Sequence, residues 1–221
     1  MILKMDKDLS IKICGINDSE SAKACEDADY VGFVFYQKSE RFVTAFEAKE
    51  ISNFLSKKPK LVGLFVDSDI ELIEYITNFV KLDIIQLHGS ESLSMIKTIK
   101  KKLGKPIIKA IPVKSKRDVQ FSKKFEPICE MILFDTKTEN FQASGGTGKS
   151  FDWKLLNDYN SKKNWMLAGG LNIKNVKKAV EETGAPTVDI SSGVELKKGI
   201  KCPKKIKQLI EYVKKNKFKK I

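Results

Sequence analysis

Apolar positions along this 221-residue chain gather into short runs, and each run is followed by a stretch in which apolar residues recur every three or four positions. The runs cover residues 11–14, 30–35, 60–65, 82–88, 106–111, 131–135, 164–168 and 187–191, and they predict eight strands alternating with eight helices. Leu72, Ile73, Ile76, Phe79 and Val80 form one helical stripe; Leu93, Ile96, Ile99 and Leu103 form another, and Ile206, Leu209, Ile210 and Val213 a third. Thr44 with Glu47 and Ser68 with Glu71 read as capping boxes, the Asn17–Glu20 stretch is a similar start signal, and Asn172 suits the N-cap of the seventh helix.

Strands joined through single helices run parallel, because a tight hairpin cannot connect them. Eight such units with no linker, low-complexity tract or break in composition predict an α/β fold: one (β/α)8 TIM barrel domain over residues 1–221, with 1–9 as a short N-terminal extension. A doubly wound open sheet is the alternative. It would use fewer strands and a glycine-rich fingerprint after the first one, where this chain has only Cys14-Gly15.

Barrel chemistry sits where strands end. The two-residue period puts Lys12 and Cys14 on one face, as it does Ile84, Gln86 and His88, then Met131, Leu133 and Asp135, and finally Thr187, Asp189 and Ser191. Cys14, His88, Asp135 and Asp189 are therefore expected to converge on one mouth. Asp135 opens a long loop ending in Gly145, Gly146 and Gly148, and long loops in compact domains are often functional. After strands seven and eight come Gly169-Gly170 and Ser191-Ser192-Gly193. Glycine turns at these two places suit a phosphate group, although Gly170 and Gly193 could equally serve the turns alone.

Composition narrows the function classes. The net charge of +13 invites a nucleic-acid reading. Yet the lysines are dispersed, and only Arg41 and Arg117 are arginines among 41 basic residues, so a solvated surface is expected and no nucleic-acid partner. Cys14, Cys25, Cys129 and Cys202 lack paired spacing and there is one histidine, which argues against a metal site and a disulfide framework. No apolar run reaches the length of a membrane span, and residues 1–9 carry no apolar signal region; a cytoplasmic protein with no membrane partner is expected. Trp153 and Trp165 are expected in the core.

Several segments in order, namely 11–16, Gly32 to Phe35 with Ser39-Glu40-Arg41, Gln86 to Gly89, Asp135 with 145–148 and 151–153, 167–171 and 188–195, resemble the phosphoribosylanthranilate isomerase family. The resemblance runs over nearly the whole chain and rests on order and spacing. It implies a phosphosugar substrate, an Amadori rearrangement in tryptophan biosynthesis, no cofactor, and a monomer or homodimer. It further implies Cys14 as base, Asp135 as acid and Arg41 as the grip on the anthranilate carboxylate, with Gln86, His88, Gly146, Gly169, Gly170, Asp189, Ser191, Ser192 and Gly193 around the substrate.

The residues themselves leave alternatives open. A strand-end cysteine is by default a packing residue; a base needs its thiolate, reached by a lowered pKa or by proton loss in the complex. Asp135 as acid must instead hold its proton. Gln86 serves as a core hydrogen-bonding group or a substrate contact, His88 as a polar lining residue, and Asp189 binds ribose hydroxyls or orders the Ser191-Ser192 loop. Where the family has proline before the arginine, this chain has Glu40, which frees the backbone and brings a carboxylate to compete for Arg41. The histidine-pathway isomerase would place an aspartate where Cys14 stands, metal-dependent epimerases need more histidines, and a non-catalytic phosphate- or nucleic-acid-binding barrel needs neither Cys14 nor Asp135.

Overall fold

The computed structural model describes residues 8–57, 59–136 and 150–218. Eight parallel strands, β1 (Ser10–Cys14), β2 (Tyr30–Val34), β3 (Lys60–Phe65), β4 (Ile84–Leu87), β5 (Ile107–Val113), β6 (Met131–Thr136), β7 (Trp165–Leu167) and β8 (Thr187–Ile190), close in chain order, with β8 pairing back onto β1. The open-sheet alternative is thereby removed.

Helices α1 (Ser19–Ala24), α2 (Ala45–Ser52), α3 (Ile70–Val80), α4 (Leu93–Leu103), α5 (Lys116–Ser122), α6 (Val176–Thr183) and α7 (Pro203–Lys215) stand around the barrel. The described residues give seven helices where the pattern predicts eight. Between β6 and β7 they hold a 3-10 turn, Trp153–Leu156, which Asp152 caps by accepting from the Lys154 N–H. Asn157, Asn160 and Ser161 follow it, and such side chains compete for the backbone hydrogen bonds a longer helix would use.

Start signals hold to within a few residues. Thr44 and Glu47 form the expected box. Asp18, not Asn17, caps α1, and Asp69 precedes α3 while the Ser68 hydroxyl turns back to the Val66 carbonyl, so no box forms there. Asn175, not Asn172, stands at the N-cap position of α6, without a side-chain capping bond, while Asn172 heads the turn before it and accepts from the Lys174 N–H. Leu72 lies off the buried stripe of α3, whereas all four apolar positions predicted on α7 are buried.

Strand parity follows the expected alternation. Inward residues Val62, Ile84, Ile108, Ala110, Met131, Leu133, Met166 and Ala168 fill the barrel, and a smaller group of Cys14, Val34, Leu64 and Val66 packs above them. The opposite faces, among them Ile13, Phe33, Phe65, Phe134 and Val188, pack against the helices. Trp153 and Trp165 are in this outer core, with Trp165 edge-on to Phe134 and Tyr159. An antiparallel pair that the pattern did not predict, β9 (Glu195–Lys197) and β10 (Ile200–Lys201), follows β8 at the mouth. Among the described residues no helix is long and apolar enough to cross a membrane.

Candidate active site

At the C-terminal ends of the strands lies a pocket open to solvent, where the chemistry of such barrels is found. Cys14, Arg41, Gln86, His88, Asp135, Gly169, Gly170, Asp189, Ser191 and Ser192 all line it. One expected residue, Gly193, does not join them. Gly146 lies outside the described residues. Gly193 packs one loop on another, since a methyl group on it would come within 2.0 Å of the Leu171 carbonyl oxygen.

Cys14 ends β1, and Gly15, at φ +77°, turns the chain there and donates its N–H to Gly32. Two residues back on the same face, Lys12 is wholly buried, its Nζ 2.9 Å from Asp189 Oδ2 on the strand that closes the barrel. Burial pulls the Lys12 ammonium down, but the charges of Asp189 and Cys14 outweigh it and hold it above the ordinary lysine value. For Cys14, burial pushes the thiol up, Lys12 draws it back, Asp189 adds to the rise, and the net direction is upward. Burial thus outweighs the neighbouring cations, and the resting thiol is held above its ordinary value.

Arg41 is buried, and its Nε and Nη2 fork onto Glu195 at 2.7 and 2.9 Å. The Lys201 ammonium lies 2.8 Å from the same carboxylate and also reaches the Ser191 carbonyl and hydroxyl. Burial alone would raise Glu195; hydrogen bonds and charge from Arg41 and Lys201 outweigh it and hold the carboxyl down at about 2. The competing carboxylate is thus Glu195, while Glu40 pairs outward with Lys198. Nor is the backbone loose for want of a proline: Ser39 Oγ accepts the Arg41 N–H and Phe42 bridges to Val34.

Across the cavity, Asp135 ends the β6 interior face, accepts the Thr136 N–H at 2.7 Å, and has Oδ2 3.4 Å from His88 Nε2. The other imidazole nitrogen is 3.2 Å from the Gln86 amide. Gln86 Oε1 and Asp189 Oδ1 are buried acceptors without a partner among the described residues. A buried acceptor left unpaired costs about 1–3 kcal/mol, so each such atom marks a place for a ligand hydrogen-bond donor.

Gly169 and Gly170, at φ +89° and +64°, occupy backbone conformations that suit glycine. At Gly169 a methyl would also strike Thr136 Oγ1 at 2.2 Å, so the turn after β7 lies directly against the end of β6. The carbonyls beside this turn are already engaged. Asn172 and Asn175 amides donate to Gly170, and Lys201 donates to Ser191. Oxygens that would repel an anion are covered, while among the described residues no protein acceptor takes the Gly169 or Gly170 N–H.

The family model of N-(5'-phosphoribosyl)anthranilate isomerase matches residues 11–212. The chain belongs to this family. The Rhodospirillum centenum N-(5'-phosphoribosyl)anthranilate isomerase is 41% identical over 199 residues, covering 88% of this chain and 93% of the relative. The crystal structure of phosphoribosyl anthranilate isomerase from Thermotoga maritima superposes with a TM-score of 0.82 at 37% identity, covering 93% of this chain and 98% of that one. Another family structure, solved with reduced 1-(o-carboxyphenylamino)-1-deoxyribulose 5-phosphate, gives 0.80 at 35% identity over the same shares.

Glu195, Lys201 and Lys12 stand in this family site without a role assigned from sequence. Lys12 had a legible signal, being a lysine on the inward parity of an otherwise apolar strand and level with Cys14. Glu195 ends the quoted 188–195 segment, but nothing local names Arg41 as its partner. The hairpin that delivers Lys201 could have been read from its Lys198-Gly199 turn, with Gly199 at φ +81°.

Proposed function

We propose that this chain catalyses the Amadori rearrangement of N-(5'-phosphoribosyl)anthranilate to 1-(2-carboxyphenylamino)-1-deoxyribulose 5-phosphate, with Asp135 as acid and Cys14 as base. The observation that carries the reading is that these two side chains, from β6 and β1, face one cavity that ends in glycine turns. Asp135 gives its proton to the furanose oxygen as the C1–O bond breaks, and the nitrogen lone pair forms the C1=N bond. The Cys14 thiolate takes the C2 proton; that electron pair becomes C1=C2 and the C=N pair returns to nitrogen, leaving an enolamine that tautomerises to the ketone. One proton passing from Cys14 to Asp135 through solvent restores the enzyme.

The lining supports one orientation. The Gly169-Gly170 turn with Ser191 and Ser192 takes the phosphate through N–H and hydroxyl groups. Unpartnered Asp189 Oδ1 and Gln86 Oε1 accept from the ribose hydroxyls. Val34, Leu64 and Val66 offer an apolar wall for the anthranilate ring, beside which Arg41 meets its carboxylate. His88 steadies the Asp135 carboxyl.

The test is to generate phosphoribosylanthranilate in place and follow its fluorescence with and without this protein, in the presence of EDTA. Fluorescence is expected to fall only when protein is present. Binding without any protein-dependent loss would leave a phosphate-binding barrel and remove the isomerase reading.

A further inference from the structure

The base side of the cavity holds more charge than gripping a sugar phosphate requires. Cys14 faces a buried lysine whose counter-ion comes from the far end of the chain. Lys12 and Asp189 are register partners across the β1–β8 closure, 177 residues apart in sequence. Lys12 is wholly buried while Asp189 lines the cavity, and one carboxylate oxygen, Asp189 Oδ1, has no partner among the described residues. A buried ion pair is a poor way to stabilise a barrel, since apolar residues of similar volume serve as well or better. One further fact places this pair beside the thiol. Gly32 on β2 leaves a gap in which an added methyl would meet Cys14 Sγ at 3.0 Å and Lys12 Cε at 3.3 Å, so thiol and lysine flank the same point. The larger side chain that would separate them is missing from this position.

We propose that Lys12 is a positioning residue for the proton transfer at C2: its ammonium, anchored by Asp189, supplies the charge that stabilises the Cys14 thiolate. This rests on the reading of Cys14 as base. Burial opposes a thiolate here, and Lys12 is the largest influence favouring one. Asp189 acts in two opposed ways. It keeps Lys12 charged and in place, and its own negative charge works against the thiolate. Lys201 also favours the anion, from the Glu195 side and more weakly than Lys12. The substrate's ribose, by hydrogen bonding to Asp189 Oδ1, would draw carboxylate charge away from Lys12 and toward itself as the complex forms, which couples substrate binding to thiolate formation.

The experiment reads the thiol directly. Intact protein is alkylated with iodoacetamide at pH 8, and the rate at Cys14 is followed by peptide mass spectrometry against partly exposed Cys202 in the same sample. Lys12→Met is expected to slow Cys14 alkylation at least tenfold relative to Cys202, to lower kcat by a similar factor with KM within about threefold, and to be partly rescued by Lys12→Arg. Lys12→Gln, which removes the charge and keeps a polar group, is expected to slow Cys14 alkylation by a similar factor. A thiol that recovers with Lys12→Arg but not with Lys12→Gln follows the charge, which loss of a structural contact would not do. Should Lys12→Met fail to fold, the Lys12→Gln arm decides, and an unchanged Cys14 rate in either folded variant overturns the proposal. Near-normal turnover of Cys14→Ser would instead sink the base assignment and leave the alkylation shifts standing.

Discussion

The two sides of the mouth are built from different materials. On the β1–β2–β8 side, Cys14 and Arg41 are set among full charges, with Lys12 on Asp189 below and Arg41 with Lys201 on Glu195 at the rim. On the β4–β6 side, Asp135 is contacted by a backbone N–H and an imidazole, and the imidazole by an amide. Under the proposed roles, the side that holds an anion during turnover is supplied with cations fixed in advance, which is where preorganised charge acts most strongly. The proposed division of labour between base and acid thus has a counterpart in the scaffold around each group.

Deleting one group on each side is the most severe way to break the comparison. Cys14→Ser and Asp135→Asn should each lower kcat by about two orders of magnitude or more with modest change in KM, as expected when the lost interaction belongs to the transition state. Near-normal turnover in either would take that side out of the chemistry. Next in size is the rim. Glu195→Ala leaves two buried cations facing each other, so a loss of about 3 kcal/mol in unfolding free energy is expected from chemical denaturation. In the same variant KM should rise as Arg41 loses its anchor, and Arg41→Ala should raise KM about tenfold, the scale of one lost charge-assisted hydrogen bond. An unchanged KM in Arg41→Ala would withdraw the carboxylate grip.

A smaller effect sharpens the contrast from the β7 turn. Gly169→Ala forces a side chain into positive φ and against Thr136, which should cost about 1–3 kcal/mol in stability and reduce turnover by displacing Asp135. The gentlest probe is pH. Glu195 falls from an ordinary 4.5 to about 2 on folding, so its contribution is present above about 4.5 and is lost as pH drops through the range toward 2. Acid unfolding followed by circular dichroism should show this component in the native sequence, and Glu195→Gln should flatten it. An identical acid profile in both proteins would mean that the rim cluster is not held by ionised Glu195.

Much of the architecture was readable because its signals are local. The run at 131–135 is recognisable as a strand with Asp135 at its end whatever surrounds it, and the inward parity of Cys14, Gln86, His88, Asp135 and Asp189 follows from the two-residue period. The segment after Asp152 shows where local reading weakens: apolar residues alone suggested a helix, and polar side chains competing for the backbone left a short 3-10 turn. The start of α6 moved three residues because the Asn172 and Asn175 amides are committed to the Gly170 turn, a demand that arises only once that turn exists.

By itself, then, the chain order determined the alternation of strands and helices, the inward side chains of each strand, and the family to which their spacing belongs. Only the closed barrel decided that Lys12 meets Asp189 across 177 positions and that Glu195, rather than neighbouring Glu40, takes Arg41 across 154. Periodicity is a property of neighbouring residues, whereas ion pairing depends on which strand ends the closure brings face to face and on which charges that meeting removes from water.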